Sequence, residues 1–206
     1  MLPLMEASLK LLNEGKPVRT LLSTLDEEEL RILKSLNLLT SHPVLYVCNV
    51  AEADAVTGNE HTAAVAAMAK EQNSEVVIIS AAIEAEVAQL PAEEAMEFLT
   101  ELGLSEAGLD QLIRAGYKLL HLITYFTVGP KETRAWTIEQ GTKAPQAAGV
   151  IHSDFERGFI RAQTIAYNDY IAFKGEVGAK ENGKMRSEGK EYVVQDGDVL
   201  NFLFNA

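Results

Sequence analysis

The sequence has a single cysteine, no long hydrophobic run and no excess of positive charge. Cys48 has no second cysteine to pair with, which excludes an internal disulfide, and its apolar surroundings, VLYVCNV, predict a buried core residue. No apolar run approaches the roughly 20 residues that cross a bilayer, so no membrane partner is expected. The opening MLPLMEASLKLLNEG lacks the basic region and the cleavage site of a signal peptide, which predicts a cytoplasmic protein.

Positive charge is especially scarce in the first part of the chain. The formal net charge of −12 argues against nonspecific wrapping of a nucleic-acid backbone, because such binding needs a broad positive surface. Residues 1–120 contain 8 Lys and Arg against 19 Asp and Glu, whereas residues 121–206 contain 10 against 11. Any contact with a polyanion is therefore expected in residues 121–206.

Residues 1–42 are predicted to form a helical, coiled-coil arm. An apolar stripe at helical spacing is formed by Leu2, Met5, Leu9 and Leu12. The spacing of Thr24 and Glu27 predicts a capping box at the start of a second helix. Because the stripe has no partner upstream, we expect a natural amino terminus further back, and the exposed arm offers a surface for dimerisation.

Residues 43–120 are predicted to form a parallel α/β half-domain with connecting helices. VLYVCNV and EVVIIS are short apolar runs of the kind found in strands buried on both faces, with a helical stretch over about 60–72 between them. This order implies a parallel crossover. Two further helices are expected over residues 91–120. An exposed edge of the sheet is a second candidate surface for dimerisation.

Residues 121–206 change to a β-rich pattern and are predicted to form a separate α+β domain. LITYFTV and TRAWTIE, separated by GPKE, predict a hairpin, and GFIRAQTIAY and VLNFLFN predict further strands. A short helix is expected near residues 145–149. The stretch 175–190 is rich in glycine and charge, which predicts a mobile loop.

Polar residues at the exits of the first two strands form the candidate ligand site, since ligands of parallel α/β sheets bind beyond the carboxyl ends of the strands. The exits supply Asn49, Val50 and Glu52, and Ser80, Ala81 and Ala82. An Asn can pin neighbouring loops, a carboxylate can accept from the amine of a base, and the turn presents backbone N–H groups. These features predict a purine-binding cradle, with a polar loop cap as the simpler alternative.

The spacing resembles the base-recognition motifs of P-loop GTPases, which are Asn-Lys-x-Asp followed by Ser-Ala-Lys. Val50 stands in place of the Lys and Glu52 in place of the Asp. The Asn-Val-x-Glu form is similar to that of the YchF or Obg-like ATPase family, whose members accept ATP. This departure leaves the preference between ATP and GTP open.

Further stretches resemble the same family. They are LLTSHPVLYVCNVAE, SAAIEAEVAQL, HSDFERGFIRAQTIAYNDY and DGDVLNFLFN. The resemblance covers nearly the whole chain. It implies an α/β fold made of part of a P-loop NTPase domain with its helical arm, followed by a β-grasp, ubiquitin-like TGS domain over residues 121–206. It also implies that the intact protein uses ATP or GTP with Mg²⁺ and binds the ribosome.

The phosphate-binding motif Gly-x-x-x-x-Gly-Lys-Ser/Thr is missing from this sequence. Each Gly-Lys pair is followed by Pro, Met or Glu, so the sequence supplies no amide nest for phosphates and no motif hydroxyl for Mg²⁺. We therefore expect a carboxy-terminal fragment that retains base recognition and ribosome docking. We do not expect it to hydrolyse ATP by itself, and it has no candidate catalytic or metal-binding residue.

Basic residues in the last part of the chain are candidate contacts to RNA or the ribosome. They are Arg157, Arg161, Lys180, Lys184, Arg186 and Lys190. A solubilising surface is the simpler interpretation of these charges, and the family resemblance favours contact with rRNA or a ribosomal protein. The alternative function for the chain is an adaptor that binds the ribosome or RNA without nucleotide.

Overall fold

The computed structural model describes residues 2–205, which divide into two compact units with the boundary between Leu119 and Leu120. Each unit combines helices with its own sheet. Within residues 2–205, no helix is both long enough and apolar enough to cross a membrane.

The first unit opens with helices and continues into a parallel pair of strands. Its α-helices are α1 (Leu2–Asn13), α2 (Glu27–Ser35), α3 (Glu60–Glu71), α4 (Ala81–Val87), α5 (Ala92–Glu101) and α6 (Gly108–Leu119). Strands β1 (Leu45–Asn49) and β2 (Glu75–Ile79) pair in parallel, with α3 between them in the chain. The predicted strand, helix, strand unit is therefore confirmed.

The opening helices pack around a small core and are tied to the strands by a polar contact. The buried residues of this core are Leu4, Val18 and Leu33. Arg19, in a 3₁₀ helix over Val18–Thr24, donates to Gln72 Oε1 at 2.5 Å. Tyr46 of β1 donates to the same oxygen at 2.9 Å. The side chain of Gln72 thus joins three segments of the unit.

The start of α2 lies two residues later than the sequence spacing predicted. Asp26 is the N-cap, and its side chain accepts from the backbone N–H of Glu29 at 2.8 Å while the Glu29 carboxylate accepts from the N–H of Asp26. Thr24 instead donates to Leu21 O at 2.7 Å. The prediction of Thr24 and Glu27 was wrong because the preceding 3₁₀ helix already includes Thr24. Leu25 and Asp26 have the extended backbone that a cap requires, and of these two only Asp26 has a side chain that can accept a hydrogen bond.

The apolar stripe of α1 lies on the exposed side of that helix. Leu2 is 67% exposed and Leu9 59% exposed, whereas Leu4 and Ser8 are buried. Helix α1 therefore packs on its own unit through a different face from the stripe that its sequence makes conspicuous.

Strands β1 and β2 are less buried than the apolar runs predicted. Val77 is buried, but Val47 is 43% exposed and Cys48 is only partly buried. Among the described residues this sheet has two strands, so each strand has an unpaired edge. The prediction that Cys48 is a buried core residue was wrong for this reason.

The second unit is built on a mixed five-stranded sheet. Its strands are β3 (Leu122–Val128), β4 (Thr133–Glu139), β5 (Phe159–Ala166), β6 (Arg186–Glu188) and β7 (Asp198–Phe204), and its α-helices are α7 (Ala144–Ile151), α8 (Ser153–Arg157), α9 (Tyr167–Ala172) and α10 (Glu176–Glu181). The strand order is β4-β3-β7-β5-β6, with β3 and β7 parallel and the other neighbours antiparallel. The predicted β3–β4 hairpin is confirmed.

Both faces of this sheet carry buried side chains. Successive residues of a strand point to opposite faces, and accordingly Leu200 joins one apolar cluster while Val199 joins another. Tyr125 is fully buried in the first cluster, where its hydroxyl donates to Ala147 O of α7 at 2.9 Å. Ala179 of α10 is buried in the second cluster.

The stretch 175–190 contains regular structure, so the prediction of a mobile loop was wrong. It includes helix α10 and strand β6, which pairs with β5. A Cβ on Gly178 would lie 2.0 Å from Phe173 O, and Ala179 is fully buried. Gly178 therefore allows two backbone segments to approach closely. The glycine content of residues 175–190 does not by itself distinguish this role from the flexibility of a loop.

Candidate functional site

Asn49 joins the exits of the two parallel strands. Its side-chain Oδ1 accepts from the backbone N–H of Ala81 at 2.9 Å. The N–H of Val50 donates to Ile79 O, also at 2.9 Å, which extends the β1–β2 ladder by one bond. The two segments that follow β1 and β2 are thus fixed against each other at the carboxyl end of the sheet.

Ser80 contributes a buried hydroxyl between β2 and α4. It is 3% exposed, and its Oγ has no hydrogen-bond partner among the described residues. Ala81 and Ala82 follow it in the exposed first turn of α4. Backbone N–H groups in the first turn of a helix lack intrahelical acceptors, so this turn combines an unsatisfied hydroxyl with polar backbone groups.

Glu52 is exposed and begins a short 3₁₀ helix, Glu52–Asp54, beyond the β1 exit. Within residues 2–205, its carboxylate forms no ion pair or side-chain hydrogen bond. The nearby Asp54 differs, because its carboxylate accepts from Asn59 Nδ2 at 2.8 Å. Asn59 in turn caps α3 by accepting from the N–H of Thr62. Glu52 is therefore the carboxylate of this loop that is available to a ligand.

Glu84 has a structural contact that the sequence did not reveal. Its Oε1 accepts from the N–H of Gly108 at 2.7 Å, and its Oε2 accepts from the N–H of Leu109 at 3.1 Å. The contact spans 24 residues, so no local capping motif announces it.

Three of the six candidate RNA contacts are paired with carboxylates inside the second unit. The ion pairs are Arg157 with Asp154 at 2.5 Å, Lys184 with Asp169 at 3.3 Å, and Arg186 with Glu188 at 3.1 Å. The other three candidates, Arg161, Lys180 and Lys190, are exposed and form no ion pair among the described residues. The sequence set thus divides into charges with an internal partner and charges that face solvent.

Arg186 also belongs to a network around the buried carboxylate of Asp198. Tyr192 donates its hydroxyl to Asp198 at 2.6 Å and accepts from Arg186 Nη2 at 3.0 Å, while Arg186 lies 3.6 Å from Asp198. Burial, followed by the hydrogen bond to Asp198, raises the pKa of Tyr192 above its ordinary value. A buried carboxylate needs such partners, so contact of Arg186 with RNA would compete with an internal role.

His152 caps the short helix α8. Its Nδ1 accepts from the backbone N–H of Asp154 at 3.1 Å at the start of α8. Within residues 2–205, no group of three or more His, Cys, Asp or Glu side chains is arranged to hold a metal ion.

Comparison with known proteins identifies relatives for both units. Residues 122–205 match the family model YchF-GTPase_C, whose description is "Protein of unknown function (DUF933)". The ribosome-binding ATPase YchF of Bacillus subtilis (strain 168) is 56% identical over 192 residues, which are 92% of this chain and 52% of that protein. The chain matches the YchF family over nearly its whole length. The YchF of Haemophilus ducreyi (strain 35000HP / ATCC 700724) is 52% identical over 204 residues, 99% of this chain and 55% of that protein.

Solved structures extend the YchF comparison to the fold. The Schizosaccharomyces pombe YchF GTPase superimposes with a TM-score of 0.85 at 36% identity, covering 98% of this chain and 53% of that one. A GTP-binding protein from Pyrococcus horikoshii OT3 gives a TM-score of 0.58 at 18% identity, which shows a shared fold alone. The chain spans about half the length of the YchF relatives it matches. The family resemblance and the α/β class are thus confirmed.

Proposed function

We propose that this chain supplies purine recognition and ribosome docking to a YchF-type ATPase that works in the cytoplasm. The observation that carries the proposal is the bond from Ala81 N–H to Asn49 Oδ1, which holds the two strand exits together. Ser80 directly precedes Ala81 at the start of α4, and its hydroxyl has no hydrogen-bond partner among the described residues. Such a prearranged set of polar groups at a strand exit suits a planar, hydrogen-bonding ligand.

Each residue of the cradle has a separate task in this proposal. Asn49 and Val50 fix the loops, Asn49 by accepting from the N–H of Ala81, while the hydroxyl of Ser80 and the N–H of Ala82 meet the edge of the purine. The carboxylate of Glu52 accepts from an exocyclic amine of the base. In this proposal the residues of the cradle hold the base alone. The sequence lacks the phosphate-binding motif, so the phosphates and Mg²⁺ would be held by parts of the intact protein outside this sequence.

Glu52 is the residue that we expect to set the preference for ATP over GTP. The relatives include proteins named ATPase and GTPase, and the exposed Glu52 has no competing partner among the described residues. The test is Glu52→Asp in a full-length family member that carries this sequence. The ratio of the ATP and GTP dissociation constants should shift toward GTP by about tenfold, which corresponds to about 1.4 kcal/mol.

The control for this experiment is Glu86→Asp, which makes the same change on the exposed surface of α4. We expect it to leave both dissociation constants unchanged. An unaltered nucleotide preference in Glu52→Asp would remove Glu52 as the discriminating residue.

For the second unit, we propose a TGS-type β-grasp domain that contacts rRNA or a ribosomal protein. The exposed, unpaired charges of Arg161, Lys180 and Lys190 carry this part of the proposal. Arg157 and Lys184 can contribute only if they exchange their carboxylate partners for phosphate. Phosphate contacts make affinity depend on salt, so binding should weaken as ionic strength rises.

The docking test replaces the three unpaired charges, Arg161, Lys180 and Lys190, with Glu in the 206-residue chain. Cosedimentation of this triple variant with ribosomal subunits should be lost. Variants with a single replacement should still bind, with an affinity that depends less steeply on salt than that of the wild type. The matched control replaces Lys10, Lys16 and Lys34 of the first unit, which gives the same change in net charge. Equal retention of both triple variants on ribosomes would contradict this docking surface.

The alternative function is a nucleotide-independent adaptor. It is favoured by one observation, the match of the second unit alone to a family model in a chain that lacks the phosphate-binding motif. Cosedimentation of the 206-residue chain with and without ATP separates the two functions. Ribosome binding that ignores ATP in the full-length protein as well as in this chain would support the adaptor.

A further inference from the structure

Glu84 connects the candidate purine-binding turn to the start of helix α6. Its backbone N–H donates to Ser80 O at 3.0 Å, which closes the first turn of α4. Its carboxylate accepts from the N–H groups of Gly108 and Leu109 at 2.7 and 3.1 Å. One residue therefore bonds to the turn through its backbone and to α6 through both side-chain oxygens.

The start of α6 is pressed closely against this residue and against the end of β2. A Cβ built on Gly108 would lie 2.8 Å from Ile79 Cγ2 and 3.0 Å from Glu84 Oε1. Gly108 is buried, so its backbone can approach both groups only because it has no side chain. A carboxylate at a helix N-terminus is also favoured by the helix dipole.

The other side of α4 is anchored by an apolar contact. Ile83, which precedes Glu84, is 2% exposed. Helix α4 has only seven residues, so these two neighbouring anchors fix most of its length and, with it, the turn at residues 80–82. Loss of the Glu84 carboxylate would leave the turn held by Ile83 and by the bond to Asn49.

We propose that Glu84 is a positioning residue for purine binding. By capping α6 it holds the 80–82 turn in the conformation that meets the base, so that a bound purine and the first turn of α6 stabilise each other. This inference rests on the proposed purine-binding function of the turn. Coupling between two sites is reciprocal, which makes the effect measurable at either end.

The experiment uses the full-length family member that carries this sequence, with ATP and inorganic triphosphate as ligands. Glu84→Gln keeps the size of the side chain but leaves one oxygen for two N–H donors. We expect ATP affinity to fall about fivefold to tenfold, which is within the range of one lost hydrogen bond, with triphosphate affinity unchanged. Glu86→Gln on the exposed side of α4 should change neither affinity.

Two further measurements separate positioning from a general structural role. Hydrogen exchange at Gly108 and Leu109 should slow when ATP binds and should not respond to triphosphate. Gly108→Ala, which displaces the start of α6 while keeping Glu84, should reproduce the selective loss of ATP affinity. Retained triphosphate binding in each variant shows that the protein is folded.

Two outcomes overturn the proposal in distinguishable ways. If Glu84→Gln accelerates exchange at Gly108 while ATP affinity stays within about twofold, Glu84 only caps a helix. If Asn49→Ala also leaves ATP affinity unchanged and wild-type protein binds ATP no better than triphosphate, the purine-binding function itself fails, and the role of Glu84 fails with it.

Discussion

Replacing Gly158 with Ala should destabilise the second unit by a purely steric mechanism. Gly158 ends α8 with φ −87° and ψ 4°, a backbone conformation with negative φ that is open to alanine. A Cβ at this position would lie 1.9 Å from Asn205 O and 2.9 Å from its carbonyl carbon. Both contacts are with backbone, so rotation of a side chain cannot relieve them.

The magnitude follows from the movement that the added methyl group forces. The segment after β7 must shift by about 1 Å, which at typical overpacking costs is about 1–3 kcal/mol. The shift also weakens the bond from Asn205 N–H to Gly158 O, worth about 1 kcal/mol. The lower entropy of the unfolded alanine variant returns about 0.4–1 kcal/mol. The net expectation is a loss of about 1–3 kcal/mol.

The assay is urea unfolding followed by tryptophan fluorescence. The chain has one tryptophan, Trp136 on β4, so the signal reports the second unit. Gly189→Ala is the control, because within residues 2–205 no atom beyond its chain neighbours lies within 4 Å of the Cβ it would add. Equal unfolding midpoints for Gly158→Ala and the wild type, with an unchanged denaturant slope, would refute the proposed contact between α8 and the end of β7.

Three further predictions concern stability. Tyr125→Phe leaves the Ala147 carbonyl without its donor in the core, which should cost about 1–2 kcal/mol in urea unfolding monitored by circular dichroism; an unchanged midpoint would contradict this. Asp26→Ala removes the cap of α2 and should cost about 1 kcal/mol, seen as faster hydrogen exchange at Glu29; equal exchange would exclude the capping box. The raised pKa of Tyr192 stabilises the fold below about pH 10, and this contribution is lost as the pH rises further. The free energy of unfolding should therefore fall more steeply above pH 10 in the wild type than in Tyr192→Phe. Identical pH profiles of the two proteins would reject this assignment.

The candidate site could be predicted only to the extent that its contacts are local or follow from strand topology. Asn49 and Ala81 come together because parallel strands end at the same edge of a sheet, which the apolar runs already implied. Glu84 was missed because its partners lie 24 and 25 residues away, beyond any capping motif. The internal network of Arg186 was missed because a count of basic residues does not show which of them face a buried carboxylate.

The helices and strands of each region and the resemblance to the YchF family could be predicted from the residues of that region alone. Apolar runs of strand length, helical spacing and the β3–β4 turn are set by neighbouring residues, and these predictions agree with the elements observed. Which glycines permit close packing and which charges have partners depends instead on segments that are distant in the sequence. Stretch 175–190 is the clearest case, since the backbone contact of Gly178 and the burial of Ala179 depend on segments that pack together, not on local composition.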